Sequence, residues 1–308
     1  MDINGVFVED TYAEAFSMWY VRLIVTGIDE YWAKTAATTF TGYAVSTIAC
    51  DCEAAIEKIL SPNETPDGRP GVSILVFASK KGLKNALMNR VGQCFLTCPT
   101  TAVFDNLQDE PDIDKKTEKP MILSIGKMMK YFGDGWEKSR DFNGRTMWDI
   151  PVMEGIFSIE ESFGAKKGIA GGNLFIMGDT QENTLKAAMA AVKAINEFDG
   201  VITSFPGGVC RSGSKTGSIK YSKFLHASTN HQYCPTLKNE IEDSLVPDGV
   251  NSILEIVING INLDILTKAT GAGVKAAVKV PGIKKITSGN YGGTLGKFKI
   301  YLKEALES

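Results

Sequence analysis

Near the C-terminal end of the chain, apolar positions recur at almost every residue rather than at every second or third one. The run Ser252–Gly260 reads Ser-Ile-Leu-Glu-Ile-Val-Ile-Asn-Gly, and its branched aliphatic side chains predict a strand that is buried on both faces. Glu255 stands in the middle of this run. Because a bare carboxylate is costly to remove from water, we expect Glu255 to be paired or to hold its proton near neutral pH.

Two interpretations of Glu255 follow from this position. A protonated glutamic acid there can donate a hydrogen bond to a substrate carbonyl and pass a proton on, which would make it a catalytic group. Alternatively, it belongs to an edge strand and points into water, or it forms one end of a structural ion pair. The hydrophobic pattern alone leaves both interpretations open.

Along the first half of the chain, strand and helix patterns alternate and predict two strand-helix-strand units. Runs rich in branched and aromatic residues predict the strands, and the spacing of apolar positions predicts the helices, the first of which is capped by Asp29. The predicted strands are residues 18–28, 44–50, 72–77 and 94–98, and the predicted helices are residues 29–42 and 81–91.

The second half repeats this order. Its predicted strands are residues 173–178, 201–204, 253–258 and 283–286, and its predicted helices are residues 182–197 and 262–280, the latter capped by Asn262. The apolar face of the first of these helices consists of Leu185, Ala188, Met189, Val192 and Ile195.

The two halves also share an opening motif, because residues 155–163 echo residues 5–12 with one residue inserted. We therefore expect an α+β protein made of two ferredoxin-like lobes related by internal duplication, residues 1–152 and 153–308. Right-handed crossovers would place both helices of each lobe on one face of its sheet.

Composition and charge are those of a soluble globular protein. Of the 308 residues 44% are hydrophobic and 22% are charged, and the formal net charge is −3. The chain has no basic block, so we expect neither a nucleic-acid partner nor an anionic membrane surface. No apolar run approaches the roughly 20 residues that span a bilayer, and the N-terminus lacks the basic start of a signal peptide. We therefore expect a cytoplasmic protein.

The cysteines and histidines do not predict a metal site. The six cysteines are Cys50, Cys52, Cys94, Cys98, Cys210 and Cys234. In a chain of this length without a secretion signal they predict buried free thiols rather than a disulfide framework. Their spacing does not match a zinc knuckle, and His226 and His231 are the only histidines, so we expect no metal.

Two glycine-rich stretches superficially match nucleotide-binding motifs. Residues 271–276 fit a dinucleotide fingerprint, but they lie inside a helical pattern rather than at a turn from strand to helix. Residues 292–298 resemble a P-loop without its first glycine and without its magnesium-binding hydroxyl. No serine lies in a nucleophile-elbow pattern, so a covalent serine mechanism is not expected either.

Two other glycine-rich segments predict ligand binding. Residues 206–218 combine glycines, which permit close backbone approach, with donors suited to an anionic ligand. These donors include Arg211, Ser212, Ser214 and Lys215. Residues 287–293 form a second glycine-rich turn, which contains Asn290. The alternatives are a mobile surface loop for the first segment and a wide hairpin for the second.

Seven motifs, spread in order along nearly the whole chain, carry a resemblance to a known family. They are residues 3–11, 64–72, 90–94, 168–173, 205–208, 255–260 and 288–293. The last two read Glu-Ile-Val-Ile-Asn-Gly and Ser-Gly-Asn-Tyr-Gly-Gly. Together the motifs resemble the formylmethanofuran:tetrahydromethanopterin formyltransferase family, which serves one-carbon metabolism in methanogens and some methylotrophs.

The resemblance implies transfer of a formyl group from formylmethanofuran to N5 of tetrahydromethanopterin, or of its sarcinapterin variant, through a tetrahedral intermediate. It implies that these two small-molecule C1 carriers are substrates, that no metal or prosthetic group is bound permanently, and that the chain forms homodimers or homotetramers. The catalytic glutamate of the family lies in the Glu-Ile-Val-Ile-Asn-Gly motif and therefore falls on Glu255.

The same resemblance suggests which residues bind substrate. Asn259 lies two pleat repeats from Glu255 on the same strand face, where it would orient substrate. Both substrates carry carboxylates and the pterin also carries phosphate, which would suit the donors of residues 206–218. The expected substrate-binding residues are Asn259, Arg211, Ser212, Ser214, Lys215 and Asn290.

The chain departs from the family pattern at three places. Residues 49–55 lack the proline and the glycine of the family, and Cys210 and Arg211 stand where it has small residues. Residues 20–43 are also divergent. These departures keep an alternative open, in which the protein is a non-catalytic paralogue that holds the C1 carrier or a scaffold in a larger formyltransferase–hydrolase assembly.

Overall fold

A computed structural model describes residues 1–45 and 50–308. The elements up to residue 152 are β1 (Asp2–Ile3), β2 (Val6–Val8), β3 (Tyr12–Thr26), α1 (Glu30–Ala44), β4 (Glu53–Leu60), β5 (Gly71–Ala78), α2 (Leu83–Arg90), β6 (Ala102–Asp105), β7 (Ile113–Asp114), β8 (Lys119–Pro120), β9 (Ile122–Leu123), α3 (Ile125–Met129), β10 (Lys138–Phe142) and β11 (Arg145–Val152). The later ones are β12 (Gly155–Glu160), β13 (Phe163–Gly164), β14 (Lys166–Gly178), α4 (Gln181–Ile195), β15 (Val201–Thr203), β16 (Ser214–Thr216), β17 (Ala227–Thr229), β18 (Ser252–Gly260), α5 (Leu263–Ala277), β19 (Ile283–Thr287), β20 (Phe298–Tyr301) and α6 (Leu302–Glu307).

The described chain divides into two compact units, residues 18–45 with 50–168 and residues 1–17 with 169–308. In the first unit, β3 lies between β5 and β6 and β4 lies outside β5, with all of these pairs antiparallel. Helices α1 and α2 pack on one face of this sheet, where side chains such as Leu23, Phe40 and Ile74 are completely buried. Phe40 also stacks on Phe95, with ring centroids 4.7 Å apart.

The second unit has the same strand order. Strand β14 lies between β18 and β19, and β15 lies outside β18, again with every pair antiparallel. Helices α4 and α5 cover one face, and Leu174, Ile176 and Ile256 are buried beneath them. Each unit therefore contains a βαββαβ run whose first strand is central and whose two helices lie on one face of the sheet.

The echoed opening motif occupies matching places in the two units. In the second unit, β2 pairs in parallel with β19, the fourth strand of the βαββαβ run. In the first unit, β12 pairs in parallel with β6, which is the fourth strand there. Because β2 lies at the start of the chain and β12 lies after its midpoint, each unit takes this added strand from the other half of the sequence.

Side-chain caps begin two of the helices at the predicted residues. The carboxylate of Asp29 accepts a hydrogen bond from Trp32 N–H at 2.9 Å, and the side chain of Asn262 accepts one from Ile265 N–H at the same distance. Both caps satisfy backbone donors that have no partner within the helix. Among the residues described, every helix is too short or too polar to cross a membrane.

Two predicted strands were wrong or lie partly outside the described chain. Residues 94–98 are not a strand, because a π-helix, Val91–Phe95, follows α2, and short apolar runs do not distinguish strand from helix. Of the strand predicted at residues 44–50, residues 46–49 lie outside the described residues, while Ala44 ends α1 and the next strand is β4.

The predicted apolar face of α4 is confirmed at Ala188, Val192 and Ile195, which are buried, but not at its other two positions. Leu185 and Met189 are 47% and 59% exposed, whereas Ala187 and Ala191 are completely buried. Small side chains face the sheet because they allow the helix backbone to approach it closely, so the largest apolar residues do not mark the buried face here.

A pair of carboxylates in the first unit makes its stability depend on pH. Glu160 accepts hydrogen bonds from Arg145 Nη1 at 2.6 Å and from the backbone N–H of Asp105 at 2.8 Å. Burial raises the pKa of Asp105 to about 6, and the charge of Glu160 adds to this effect, although the backbone N–H groups of Gly164 and Leu107 oppose it. Asp105 is therefore costly to keep ionised at neutral pH.

We expect the Asp105→Asn variant to gain stability relative to the wild type as the pH rises from 4 to 7. An acid whose pKa is raised by folding destabilises the native state above its unfolded pKa, and the full cost is reached above its folded pKa, here about 6. The gain in free energy of unfolding relative to the wild type should approach about 2 kcal/mol, because a pKa shift of this size corresponds to an energy on that scale. Urea unfolding at both pH values measures it, with Asp134→Asn at an exposed turn as the control. A difference that stays constant with pH would contradict the prediction.

Candidate active site

Strand β18 presents alternate side chains to the two faces of its sheet. Ile256 and Ile258 lie against α4 and α5 and are completely buried. Glu255 points to the opposite face and is only half-buried, so at this position the strand is not covered on both sides as its apolar pattern suggests. On that face lies a smaller apolar cluster, which consists of Phe175, Met177, Val246 and Val250.

Backbone pairing fixes Glu255 from both sides. Phe175 on β14 lies directly opposite it in the sheet. On the other side, Cys210 N–H donates to the Glu255 carbonyl at 2.7 Å, and Glu255 N–H donates to the Cys210 carbonyl at 3.0 Å. The glycine-rich segment after β15 is therefore attached to β18 at Glu255 itself.

The carboxylate of Glu255 is held by a side chain from β14. Asn173 Nδ2 donates to Glu255 Oε1 at 3.0 Å. Asn173 Oδ1 in turn accepts a hydrogen bond from Gly289 N–H at 2.9 Å, and the Asn173 carbonyl accepts one from Ser288 Oγ at 2.8 Å. Asn173 thus connects the turn after β19 to Glu255.

A cavity of about 740 Å³ opens beside Glu255 and falls within the size range of small-molecule sites. Its apolar lining comes from Phe175, Leu185, Val209, Tyr233, Ile253 and Leu254. Its polar lining comes from Gln181, Arg211, Ser212, Asn230, Asn251 and Glu255. A cavity of this size that combines apolar and polar side chains can bind and orient an organic substrate that carries polar groups.

Two of the predicted binding residues, Arg211 and Ser212, line this cavity together with Glu255. Arg211 is exposed and brings a positive charge to the lining. The Oγ atom of Ser212 lies 3.3 Å from Cys210 Sγ, next to the backbone bridge to Glu255. The structure therefore places the predicted acid, the predicted guanidinium and one predicted hydroxyl in the lining of one cavity.

Ser214 and Lys215 lie outside that lining, on β16, which pairs with β17. Lys215 Nζ donates to Ser228 Oγ at 3.2 Å and to the Thr229 carbonyl at 3.3 Å, so its ammonium group contacts the neighbouring strand. A substrate contact for either residue stays a prediction.

Asn259 is completely buried, and its Oδ1 accepts a hydrogen bond from Gly171 N–H at 2.9 Å. Gly171 lies where the register of β14 against β18 shifts, between Ile169 and Gly172. Its φ of +85° favours glycine, and its backbone N–H donates to Asn259. Asn259 thus supports the strand that carries Asn173, and direct orientation of substrate by this residue stays a prediction.

Asn290 lies at the start of a loop that is fixed to β3. Its Nδ2 donates to Thr11 Oγ1 at 3.1 Å and to the Tyr12 carbonyl at 3.4 Å, and its side chain accepts from Gly292 N–H. Asn290 is exposed and does not line the cavity. Its predicted role in binding substrate remains a prediction.

The loop that follows Asn290 is organised by a buried carboxylate. Glu14 on β3 is 2% exposed. Its two oxygens accept four backbone hydrogen bonds, two at each oxygen, from the N–H groups of Tyr291, Gly293, Leu295 and Gly296. Burial alone would raise the pKa of Glu14, but these donors outweigh it and lower the pKa below its ordinary value. Glu14 therefore stays ionised and holds the loop in one conformation.

This loop places the Tyr291 hydroxyl close enough to Glu255 for the charge of the carboxylate to affect it. Burial raises the pKa of the Tyr291 hydroxyl, and the negative charges of Glu255 and Glu14 raise it further. A glycine is required at residue 296, because a Cβ there would lie 2.7 Å from Glu14 Cβ and 2.9 Å from the backbone nitrogen of Ala15. The position of Tyr291 thus depends on the tight approach of the loop to β3.

Asn173, Glu14 and Tyr291 are the residues that sequence reasoning missed. Tyr291 lies inside the quoted Ser-Gly-Asn-Tyr-Gly-Gly motif and Asn173 ends the motif of residues 168–173, so the motifs pointed to both without indicating a role. In β3, a mostly apolar run follows Glu14. A carboxylate beside such a run must find a partner or hold its proton, and the same argument identified Glu255 as an unusual residue.

The cysteines do not form a metal centre within the described ranges, 1–45 and 50–308. No group of three or more histidine, cysteine, aspartate or glutamate side chains there is arranged to hold a metal ion. All six cysteines are free thiols, and burial raises the pKa of Cys52 to about 12.

Comparison with family models and known proteins gives a consistent result. A model described as formylmethanofuran-tetrahydromethanopterin formyltransferase matches residues 1–152, and one described as the proximal lobe of FTR matches residues 155–305. The formylmethanofuran--tetrahydromethanopterin formyltransferase of Methanocaldococcus jannaschii is 51% identical over 310 residues, covering 100% of both chains. The protein of that name from Methanothermobacter thermautotrophicus is 52% identical over 305 residues, covering 99% of each.

Two solved structures share this fold. The formylmethanofuran:tetrahydromethanopterin formyltransferase from Methanosarcina barkeri superimposes with a TM-score of 0.88 at 48% identity, covering 99% of this chain and 100% of that one. The formyltransferase/hydrolase complex from Methylorubrum extorquens, solved with methylofuran, contains a chain that superimposes with a TM-score of 0.90 at 42% identity. The match covers 100% of this chain and 99% of that one.

Proposed function

The chain belongs to the formylmethanofuran:tetrahydromethanopterin formyltransferase family, and from this we propose that it is an enzyme that transfers a formyl group from formylmethanofuran to tetrahydromethanopterin. Full-length identity of about half to relatives that carry this name supports catalysis rather than a non-catalytic paralogue. The observation that carries the proposal is Glu255, which borders a substrate-sized cavity and whose carboxylate is oriented by Asn173.

The proposed reaction exchanges one carbon–nitrogen bond for another. N5 of tetrahydromethanopterin, or of its sarcinapterin variant, attacks the formyl carbon, and a tetrahedral intermediate forms. The bond from that carbon to the methanofuran nitrogen then breaks. The attacking nitrogen must lose a proton and the leaving nitrogen must gain one, so a group that relays a proton and stabilises the oxyanion serves both needs.

Glu255 is the proposed catalytic group. In its protonated form it donates a hydrogen bond to the formyl oxygen as negative charge develops there, and it passes a proton between the two nitrogens. Each of these effects is typically worth about 100-fold in rate. A substrate bound against the apolar part of the lining would displace water from around Glu255, which would strengthen both effects.

Substrate binding is proposed to use the polar wall of the cavity. Arg211, Ser212 and Ser214 would donate hydrogen bonds to anionic groups of the substrates, and the positive charge of Lys215, further along the same segment, would attract these groups. Asn259 and Asn290 are also proposed to bind substrate, in addition to the hydrogen bonds that they form with Gly171 N–H and Thr11 Oγ1.

We further propose that the chain consists of two ferredoxin-like lobes, residues 1–152 and 153–308, that arose by internal duplication. The shared strand order of the two βαββαβ runs supports this, as do the matching places of β2 and β12. The two family-model matches, which end at residue 152 and begin at residue 155, support the same division.

We also propose that the protein works in the cytoplasm and forms a homodimer or homotetramer. It binds no permanent cofactor, and the two C1 carriers are its substrates. The free thiols of all six cysteines support a reducing compartment. Large exposed apolar side chains support assembly, because such groups commonly mark subunit contacts. They include Trp136, Met153 and Ile156, which are 77%, 107% and 62% exposed.

Incubating the purified protein with formylmethanofuran and tetrahydromethanopterin tests the proposal. Ultraviolet spectroscopy is expected to show time-dependent formation of formyl-tetrahydromethanopterin in proportion to the protein added. Calorimetric binding of either carrier without any product would instead favour a carrier-binding paralogue or scaffold. Absence of both product and binding would contradict the enzyme and the carrier-binding alternative alike.

A further inference from the structure

The cavity beside Glu255 lies where the pairing along one edge of β18 stops. Strand β15 pairs with β18 only from Ile258 to Gly260. Cys210 then forms a single antiparallel bridge with Glu255, in which the N–H and the carbonyl of both residues take part. Beyond this bridge, neither a strand nor an isolated bridge among the residues that the structure describes pairs with Ile253 on the same edge.

The direction of the Ile253 backbone follows from that of Glu255. Successive residues of a strand direct their N–H and C=O groups alternately to its two neighbours, so residues that are two apart face the same neighbour. Glu255 exchanges backbone hydrogen bonds with Cys210, on the side of β18 away from β14. The N–H and the carbonyl of Ile253 therefore face that side as well, and Ile253 lines the cavity. One backbone donor and one backbone acceptor thus border the cavity next to the proposed catalytic acid.

The glycine-rich segment leaves this edge of the sheet after Cys210. Continuing the antiparallel register of the Cys210 bridge would place Ser212 opposite Ile253. Instead, the Gly213 carbonyl accepts a hydrogen bond from Asn230 N–H at 3.0 Å, and β16 begins at the next residue. Ser212 and Ile253 both line the cavity, so the cavity reaches the two segments that this register would have paired.

An open strand edge recognises a ligand through backbone hydrogen bonds, as it does when an extended peptide adds a strand to a sheet. The matching ligand presents an N–H and an oxygen acceptor that are separated by one carbon, which is the arrangement in an N-acylated α-amino acid. We propose that Ile253 binds such a unit of a substrate, its carbonyl accepting from the N–H of the unit and its N–H donating to the carboxylate. The proposal rests on the proposed function for the identity of the substrate as a C1 carrier and adds the backbone site that holds it.

The surroundings of Ile253 suit a carboxylate at this place. Arg211 and Ser212 line the same cavity and can donate further hydrogen bonds to the carboxylate. The side chain of Ile253 lies on the same face of β18 as Glu255 and packs against the apolar cluster that contains Phe175. A unit bound at Ile253 lies two residues, or about 7 Å, along the strand from Glu255. The site therefore anchors a carrier close to the proposed catalytic acid.

N-acetylglycine is the smallest probe of this site. N-acetylsarcosine is its matched control, because a methyl group replaces the N–H while the carboxylate stays. Titration of each probe into the isotope-labelled protein is followed by nuclear magnetic resonance at the backbone amide of Ile253. N-acetylglycine is expected to shift this signal saturably, and N-acetylsarcosine is expected to bind about tenfold more weakly because one hydrogen bond is lost.

The binding measurement does not depend on formyl transfer. Equal affinity for the two probes would show that only the carboxylate is recognised and would overturn the proposal. It is also overturned if N-acetylglycine gives no saturable shift, or if it shifts other signals and leaves that of Ile253 unchanged. The expected shifts in a protein that forms no formyl product would support the backbone site and contradict the proposed function. Formyl transfer together with equal affinity for both probes would do the reverse.

A backbone variant tests the same contact during turnover. Replacing Ile253 with its α-hydroxy acid analogue by nonsense suppression converts the N–H into an ester oxygen and keeps the side chain. Because this N–H faces away from β14, every backbone donor to β14 is retained. The KM for one of the two carriers is expected to rise about tenfold, with kcat within about threefold. The same replacement at Met153, in an exposed turn, is the control, and KM values equal to those of this control for both carriers would overturn the proposal.

Discussion

Glu255→Gln is expected to lower kcat by about 100-fold or more, with KM changed by no more than about threefold. Glutamine preserves the length of the side chain and an oxygen that can accept the hydrogen bond from Asn173 Nδ2. Its amide can still donate a hydrogen bond to the formyl oxygen, but it cannot take up or release a proton at the working pH. The substitution therefore removes proton relay while leaving binding and fold in place.

The size of the loss discriminates between the two proposed roles of Glu255. Initial rates measured by ultraviolet spectroscopy at saturating substrates give kcat, and a concentration series gives KM. A nearly complete loss supports proton relay, whereas a loss of about tenfold supports hydrogen bonding to the oxyanion alone. Glu304→Gln, at an exposed position on α6, is the matched control. Turnover equal to that control would remove Glu255 from the mechanism.

Glu14→Gln is expected to lower the free energy of unfolding by about 3 kcal/mol and to reduce kcat about tenfold or more. Each oxygen of the Glu14 carboxylate accepts two backbone N–H groups. In glutamine an NH₂ group replaces one oxygen and would face two donors, leaving them unsatisfied in a buried site. The loop would then lose its fixed conformation, and Tyr291 would move away from Glu255.

The contribution of Glu14 to stability also has a defined pH dependence. Its pKa is lowered in the folded protein, so the stabilisation is present above the ordinary value of 4.5 and is lost as the pH falls toward the lowered pKa. The stability difference between the wild type and Glu14→Gln should therefore shrink between pH 7 and pH 4. Urea unfolding at both pH values measures it, with Glu304→Gln again as the control. A variant as stable and as active as this control would show that the loop does not depend on Glu14.

Much of the secondary structure could be predicted because its determinants are local. The caps at Asp29 and Asn262 lie three residues from the N–H groups that they satisfy, so both helix starts were visible in the sequence. The apolar run around Glu255 likewise marked a strand with an unusual acid in it. Where the local pattern was short, as at residues 94–98, it did not distinguish a strand from the π-helix that forms there.

The candidate site was only partly predictable, because its partners come from distant parts of the chain. Arg211 and Ser212 share the cavity with Glu255, but Lys215, only four residues beyond Arg211, contacts the neighbouring strand instead. The segment reaches Glu255 through a single backbone bridge at Cys210, which no composition or spacing indicates. That attachment decides which donors of the glycine-rich segment face the cavity.

By itself, the sequence determined most strands and helices of the two βαββαβ runs, the echo between the two halves, the resemblance to a formyltransferase family and the unusual position of Glu255 within an apolar strand. Each of these follows from periodicity or from motifs of neighbouring residues. The tertiary structure alone decided that β2 and β12 each join the sheet built from the other half of the chain. It also decided that Asn173 meets a donor 116 residues away and that Glu14 meets donors up to 282 residues away. The physical reason is that a buried polar group must find a partner wherever folding brings one close, and the hydrophobic pattern records burial but not the identity of that partner.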